Sequence, residues 1–207
     1  ILSSGLEQGN PAQKEIRIIE EEIDRVARIL KELSDFSKSR SLTKTVLDLN
    51  ALLSDIVRIV SQSLPAAFNI QFHIDLAPSV PQIRSDRDAL KQIFTNLCKN
   101  AVEALTGRGN IYIETSFFPV STDHTSKIGG PIDRGQVRII IRDDGPGISP
   151  EVEARLFEPY SSTKGNGHSG IGLSVVYNMI KELGGTVTSS SAPGKGAVFT
   201  MMLPVHS

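Results

Sequence analysis

A succession of strand-like segments with few helices between them restricts the fold of this chain more than any other feature. The segments are VLDLN, FNIQFHIDL, QIRSD, NIYIETSFF, QVRIIIRD, TVTSSS and AVFTMMLP. Helical patterns occur at ALLSDIVRIVSQSL, which Asn50 is expected to cap, at DALKQIFTNLCKNAVEALTG, at PEVEARLF and at GLSVVYNMIKELGG. Because parallel strands need crossover connections and most neighbouring strands here have none, we predict an α+β fold, with a mixed or antiparallel sheet covered by helices on one face.

The strand QVRIIIRDD ends in two aspartates that lead into a Gly-Pro-Gly turn. Side chains alternate between the two faces of a strand, so Asp143 shares a face with three aliphatic residues, whereas Asp144 lies with the arginines on the solvated face. A carboxylate on the apolar face needs a partner, because an unpaired buried charge is costly. Aspartate and glycine are also common in turns, and the eight residues IRDDGPGI alone favour an ordinary turn.

The longest helical pattern carries a polar stripe beside its apolar side. Asn96, Asn100 and Glu103 lie at i, i+4 and i+7, along the border of the face that the aliphatic residues define. Mg²⁺ prefers oxygen ligands and commonly binds one or two protein groups together with substrate phosphates. The stripe therefore predicts either a solvated face or a site that helps to hold Mg²⁺.

A glycine-rich segment, STKGNGHSGIGLSVV, leads directly into an amphipathic helix. Backbone N–H groups at a helix start, approached closely through glycines, form an anion site, and Lys164 would add a point charge. Such segments also serve as simple flexible connectors. The segment is not a P-loop, and no strand precedes it as a dinucleotide fingerprint requires.

The three features together predict a pocket for ATP. An inward-facing aspartate can accept a hydrogen bond from the exocyclic amine of adenine, an asparagine stripe can help to hold Mg²⁺, and a glycine-rich helix start can bind phosphates.

Four segments then identify a family. NLCKNAVEAL, DDGPGI, LFEPYSSTK and GHSGIGL resemble, in order, the N, G1, F and G2 boxes of the ATP-binding domain of bacterial sensor histidine kinases, most similarly the nitrogen-sensor type. That domain belongs to the superfamily of gyrase, the heat-shock chaperone ATPase and MutL. The boxes span residues 96 to 173, and residues 46 to 205 fit the same fold, a Bergerat-type two-layer sandwich.

The resemblance implies specific roles. Asn100 would be the Mg²⁺ ligand, Asp143 would read adenine, and Phe157 would anchor the base of a lid. Gly145 and Gly147 would form the turn under the base. The lid and the start of the following helix would approach the phosphates. The complete set expected to bind ATP is Asn96, Asn100, Glu103, Asp143, Gly145, Gly147, Ile148, Phe157, Thr163, Lys164, Gly167, Ser169, Gly170, Ile171, Gly172 and Leu173.

The first forty residues have a different pattern. Six apolar residues and one serine recur at spacings of three and four, which is typical of a coiled-coil seam; they are Ile16, Ile19, Ile23, Val26, Leu30, Leu33 and Ser37. The long N-terminal helix resembles the second helix of a dimerisation hairpin, so we expect a partial dimerisation and phosphoacceptor hairpin at 1–42, a homodimer formed through it, and the ATP-binding catalytic domain at 46–207. The alternative is a surface helix packed on its own domain.

Two positions depart from the family pattern, because His168 and Ala197 stand where a glycine and a threonine are frequent. The four histidines of the chain do not lie in the HE…NP-like helical context of a phosphoacceptor. We therefore expect the acceptor histidine upstream of Ile1, outside this chain.

The resemblance implies a protein-histidine kinase that transfers the γ-phosphoryl group of ATP to that histidine and then to an aspartate of a response-regulator receiver domain. One alternative is an ATP-hydrolysing conformational switch. Such relatives carry a general base, a glutamate, four residues before the metal-binding asparagine, where this chain has Asn96. Another is a degenerate nucleotide-binding or dimerisation module, which would be expected to lack Asn100 or Asp143.

Composition limits the remaining classes. A net charge of −1 without a block of like charges argues against nucleic acid and a polybasic membrane surface. No apolar run approaches the roughly 20 residues of a membrane span, and the single cysteine, Cys98, excludes an internal disulfide. We therefore expect a cytoplasmic location and no membrane contact by this chain.

Overall fold

The computed structural model describes residues 42–119, 133–159 and 170–206, together with helical positions 15, 16, 18–20, 22, 23 and 26. From residue 42 onwards it contains seven strands and four helices within these ranges. The strands are β1 (Lys44–Leu47), β2 (Asn69–Leu76), β3 (Ile83–Asp86), β4 (Arg108–Pro119), β5 (Asp133–Asp143), β6 (Thr186–Ser191) and β7 (Ala197–His206). The helices are α1 (Leu49–Gln62), α2 (Arg87–Leu105), α3 (Pro150–Glu153) and α4 (Gly172–Glu182).

The strands form two sheets. The larger has five strands in the order β2-β4-β5-β7-β6, and the smaller pairs β1 with β3 antiparallel. Only the β2–β4 pair of the larger sheet is parallel, and its connection runs through β3 and α2, as a parallel pair requires. The mixed sheet predicted from the sequence is therefore confirmed.

One apolar core joins the sheet to three helices. The inward rows of β4, β5 and β7 pack against α1, α2 and α4, and the aliphatic side chains in these rows are almost fully buried. Each such side chain contributes on the order of 2 kcal/mol by leaving water. Asp143 continues the inward row of β5, so burial of that row fixes the direction in which the aspartate points.

Aspartates start the two long helices. The carboxylate of Asp48 accepts a hydrogen bond from the backbone of Ala51 at 2.9 Å, and that of Asp86 accepts one from Ala89 at 2.9 Å. The prediction that Asn50 caps α1 is wrong, because Asp48 precedes it and a carboxylate at a helix N-terminus also gains from the helix dipole. The Asn50 side chain instead donates to the carbonyl of Ala77 and accepts from the hydroxyl of Thr115.

Two further elements bear on the predictions. The helix expected at PEVEARLF is shorter than predicted: α3 ends at Glu153, and turns follow it.

In the N-terminal region, Ile19, Ile23 and Val26 are at helical positions, and their exposed fractions are 57%, 61% and 52%. The other seam residues Leu30, Leu33 and Ser37 lie outside the described residues. Within the described ranges, no helix combines the length and apolar character that crossing a membrane requires.

Candidate functional site

Asp143 is a buried carboxylate at the end of β5, and its side chain is 4% exposed. Its Oδ1 accepts hydrogen bonds from the backbone N–H groups of Gly145, at 2.9 Å, and Ala197, at 3.3 Å. These donors stabilise the charged form of a carboxylate that would be costly to bury without partners. The inward direction predicted for Asp143 is confirmed.

The turn after Asp143 lies against the β6–β7 hairpin. Gly147 has φ of 75°, and a Cβ at this position would overlap the carbonyl of Ala192. The hydroxyl of Ser191 accepts from the backbone of Ile148 at 2.9 Å and donates to the carbonyl of Gly196 at 2.7 Å. The turn is therefore joined to a hairpin that follows it by more than forty residues.

Helix α2 forms the neighbouring border of this turn. A Cβ on Gly145 would lie 3.5 Å from the Cβ of Ala104, so the turn contacts the last part of α2. Asn100 precedes Ala104 by four residues and lies one helical turn away on the same side. Asn96 and Asn100 are half-buried, and Glu103 is exposed. The asparagines thus lie along the helix face that the turn meets, and Glu103 lies at its solvent side.

The start of α4 offers backbone donors. Gly170 has φ of 67°, and Ile171, which precedes the helix, is 1% exposed. Among the described residues, no side chain caps this N-terminus, and no described atom lies within 4 Å of a Cβ built on Gly172. Leu173 is half-buried on the first turn. A helix start without a side-chain cap among the described residues fits an anionic group.

Phe157 connects the segment after α3 to α4. Its half-buried ring lies 5.5 Å from the ring of Tyr177, centroid to centroid. Four expected site residues, Thr163, Lys164, Gly167 and Ser169, lie outside the described residues.

The described residues fit a metal ion that arrives with phosphates. They contain no group of three or more histidine, cysteine, aspartate or glutamate side chains that could hold a metal by itself. Asn100 offers one amide oxygen at the border of the site. Mg²⁺ keeps several waters and takes few protein ligands when phosphates supply the rest, so a single amide oxygen is compatible with that ion.

Sequence reasoning missed several contributors to the site. The backbone N–H of Ala197 and the hydroxyl of Ser191 hold Asp143 and its turn, yet Ser191 lies in the uniform run TVTSSS, where the pattern does not distinguish it. Asp144 was expected to be solvated; it is exposed, but it is bonded to Asn110. The partner could have been found only from the register of β4 and β5.

Comparisons with known proteins identify the family of the chain. Residues 85–207 match the family described as histidine kinase-, DNA gyrase B-, and HSP90-like ATPase. The sensor histidine kinase ZraS of Klebsiella oxytoca is 35% identical over 189 residues, which cover 91% of this chain and 37% of ZraS. The sensory histidine kinase/phosphatase NtrB of Rhizobium meliloti (strain 1021) is 33% identical over 194 residues, which cover 91% of this chain and 48% of NtrB.

A solved structure extends the likeness to the fold. The histidine kinase ThkA, in a complex with the response regulator protein TrrA, is 27% identical and has a TM-score of 0.72, with 98% of this chain and 54% of that chain covered. This chain spans less than half the length of ZraS and NtrB. The family match covers more than half of this chain and includes all four boxes. The chain therefore belongs to the family of histidine kinase-, DNA gyrase B- and HSP90-like ATPases, as an ATP-binding catalytic domain of the sensor histidine kinase type.

Proposed function

We propose that this chain binds Mg-ATP and delivers its γ-phosphoryl group to a histidine outside the chain, from which the group passes to an aspartate of a response-regulator receiver domain. The observation that carries the proposal is the buried carboxylate of Asp143, which accepts hydrogen bonds from two backbone N–H groups at the end of β5. A carboxylate there accepts a hydrogen bond from the exocyclic amine of adenine. A guanine at the same place would present a carbonyl and repel it.

The other site residues would surround the nucleotide. Gly145, Gly147 and Ile148 lie under the base, and the described residues of the glycine-rich segment, Gly170 to Leu173, offer N–H groups to the phosphates. Asn96 and Glu103 border the nucleotide on α2, and Asn100 holds the ion that arrives with it. When bound, Mg²⁺ neutralises phosphate charge. Phe157 anchors the base of a lid that would contribute Thr163, Lys164, Gly167 and Ser169.

Transfer of the γ-phosphoryl group depends mainly on how the chain positions ATP and the acceptor, and the chain forms no covalent bond to the phosphoryl group. The acceptor imidazole nitrogen attacks the γ-phosphorus, the bond from that phosphorus to the bridging oxygen breaks, and ADP leaves. Asn96 matters here because an amide cannot take a proton from water, so the site lacks a base at that position for the competing hydrolysis. The kinase reading is therefore favoured over a hydrolytic switch.

The exposed apolar residues of the helix that precedes the catalytic domain indicate a dimerisation partner. Ile19, Ile23 and Val26 are exposed at heptad spacing on a helix, and an apolar stripe of this width is buried most readily against another helix. We propose that it forms part of a dimerisation hairpin at 1–42, followed by the catalytic domain at 46–207. The complex of the similar kinase ThkA with a response regulator supports such a partner here. We also propose a cytoplasmic location without membrane or nucleic-acid contact.

Binding of nucleotide tests the site. We expect Asp143→Asn to weaken ATP binding by about 2 kcal/mol, because a charged hydrogen bond to the adenine amine is lost and an amide hydrogen faces the base. Calorimetric titration with ATP and Mg²⁺ measures this. Asp75→Asn, an exposed carboxylate near the end of β2, is the matched control and should bind as the unmodified chain does. Equal ATP affinity in the Asp143 variant would contradict the assignment.

Transfer tests the reaction. With a separately supplied helical hairpin that carries an acceptor histidine, we expect Asn100→Ala to abolish the acid-labile label from γ-labelled ATP, since the ion would lose its protein ligand. Lys99→Ala, an exposed neighbour, should retain transfer. Normal labelling of the hairpin by the Asn100 variant would show that Asn100 does not hold the metal.

A further inference from the structure

Asp144 is exposed at the end of a strand, yet it makes three hydrogen bonds to Asn110. Its Oδ1 accepts from the backbone N–H of Asn110 at 2.7 Å, and its Oδ2 accepts from Nδ2 of Asn110 at 2.7 Å. Its own N–H donates to the carbonyl of Asn110 at 3.2 Å. The regular pairing of β4 with β5 ends at Ile111 and Asp143, so the backbone bond extends it by one residue and the two side-chain bonds reinforce that extension.

The surroundings prepare Asn110 for this role. Its Oδ1 lies 2.8 Å from Nε2 of His73, which donates when the proton is on that nitrogen, so the amide nitrogen is turned towards Asp144. The His73 ring in turn stacks on Tyr112, with 4.8 Å between ring centroids and 15° between planes. Gly109, with φ of 143°, leaves the necessary space, because a Cβ there would lie 2.6 Å from Oδ1 of Asp144.

Asp144 is joined by one peptide bond to Asp143, whose side chain points to the opposite face of the sheet. The Asp143 carboxylate accepts from the N–H of Gly145, and this N–H follows directly after Asp144. The orientation of the Asp143 side chain therefore depends on where the backbone of Asp144 lies.

We propose that Asp144 and Asn110 are positioning residues which, from the open face of the sheet, hold the Asp143 carboxylate in the orientation that reads adenine, with His73 fixing the Asn110 amide. The inference rests on the proposed adenine-reading role of Asp143 and adds to it a determinant of base specificity. None of the three residues would touch the nucleotide, because their side chains lie on the face of the sheet opposite to that of Asp143.

The test compares two nucleotides that differ at the group Asp143 contacts. Inosine triphosphate has a carbonyl in place of the exocyclic amine of ATP and a hydrogen on the neighbouring N1, so the ratio of the two dissociation constants reports on the edge of the base that Asp143 is proposed to contact. We expect Asp144→Ala to weaken ATP binding about tenfold, since charge-assisted hydrogen bonds are lost, and to leave inosine triphosphate binding nearly unchanged. Asn110→Ala should shift the ratio in the same direction but less, because the backbone N–H at 110 remains.

A rescue variant separates positioning from general destabilisation. The exchange Asn110→Asp with Asp144→Asn places the carboxylate at position 110 and the amide at 144, where the amide can still donate across the pair. We expect this double variant to recover most of the discrimination. Glu114→Ala, an exposed carboxylate on β4, is the control for loss of charge. Asn110 and Asp144 border an open polar cavity of about 530 Å³, so water can reach the polar groups that a truncated variant leaves exposed. If Asp144→Ala does not fold, the ratio of dissociation constants is measured for Asn110→Ala and for the double exchange instead.

The outcomes distinguish the two levels of the proposal. If the unmodified chain prefers ATP and Asp144→Ala keeps the same ratio, the positioning role is overturned and Asp143 retains its own role. A fall of both affinities by one common factor in Asp144→Ala also overturns it, since that result describes a structural loss. If the unmodified chain does not discriminate between the nucleotides, the adenine-reading role of Asp143 fails.

Discussion

Two ionisable side chains in the core are accommodated in opposite ways. Asp143 receives backbone donors at the end of a strand, whereas Cys98 lies on α2 among apolar residues with no exposed surface. Burial raises the pKa of the Cys98 thiol from 9.0 to about 12. Because the thiolate is the reactive form, this cysteine belongs to the packing of the core.

The raised pKa predicts a stability effect at alkaline pH. Between pH 9 and about 12 the unfolded chain has lost the thiol proton and the folded chain retains it, so stability falls by up to about 1.4 kcal/mol per pH unit in that window. Below pH 9, both the folded and the unfolded chain carry the thiol proton, and the stabilisation that buried Cys98 contributes is fully present. We expect the stability advantage of the unmodified chain over Cys98→Ala to be constant up to about pH 9 and to shrink above it, as measured by urea unfolding. A difference that does not change with pH would contradict this assignment.

At the scale of elements, alternation of side chains was sufficient to predict the strands and the inward direction of Asp143, because a two-residue period depends on local sequence alone. It was not sufficient to find the partners of Asp143 and Asp144. Those partners, Ala197 and Asn110, are set by strand register and by long-range pairing. The cap of α1 was misassigned because Asp48 and Asn50 are both good capping residues, and only the contacts of Asn50 with Ala77 and Thr115 distinguish them.

The β6–β7 turn allows a matched test of steric fit. Gly194 and Gly196 have nearly equal φ values, 74° and 75°, but a Cβ on Gly194 would meet no atom within 4 Å, whereas one on Gly196 would overlap the carbonyl of Asp143. We expect Gly194→Ala to cost about 1 kcal/mol from the left-handed backbone alone. Gly196→Ala should cost clearly more and should also weaken ATP binding, because the hairpin must move away from Asp143. Urea unfolding and calorimetry measure both effects; equal costs for the two variants would show that the hairpin does not constrain the site.

At the scale of the whole molecule, the helix at the N-terminus carries the largest group of exposed apolar side chains in the described part of the chain. Four of them, Ile18, Ile19, Ile23 and Val26, are each more than half exposed. The sequence predicted the seam from its spacing, and the proposed partner is a second helix. The spacing of the seam residues predicts that another helix packs against this one. It does not identify that helix, because every apolar stripe of this width has the same period.

The seam predicts a dimer that charge should disrupt. We expect Ile19→Glu combined with Ile23→Glu to lower the dimer fraction in sedimentation experiments, because two carboxylates would be buried in the interface. Ile18→Glu changes a residue of similar exposure, 51%, that lies off the seam, and should leave the dimer intact. If Ile18→Glu lowers the dimer fraction as much as the double variant does, the helix does not pack through the predicted seam.

The bond between the Ala197 N–H and the Asp143 carboxylate links positions 54 residues apart, and this has a consequence for biosynthesis. While the ribosome is still making the β6–β7 hairpin, the nascent polypeptide already contains the acid group but lacks the backbone N–H that Ala197 supplies to it. With the proposed role of Asp143, affinity for the purine should therefore arise late, once translation has passed this hairpin.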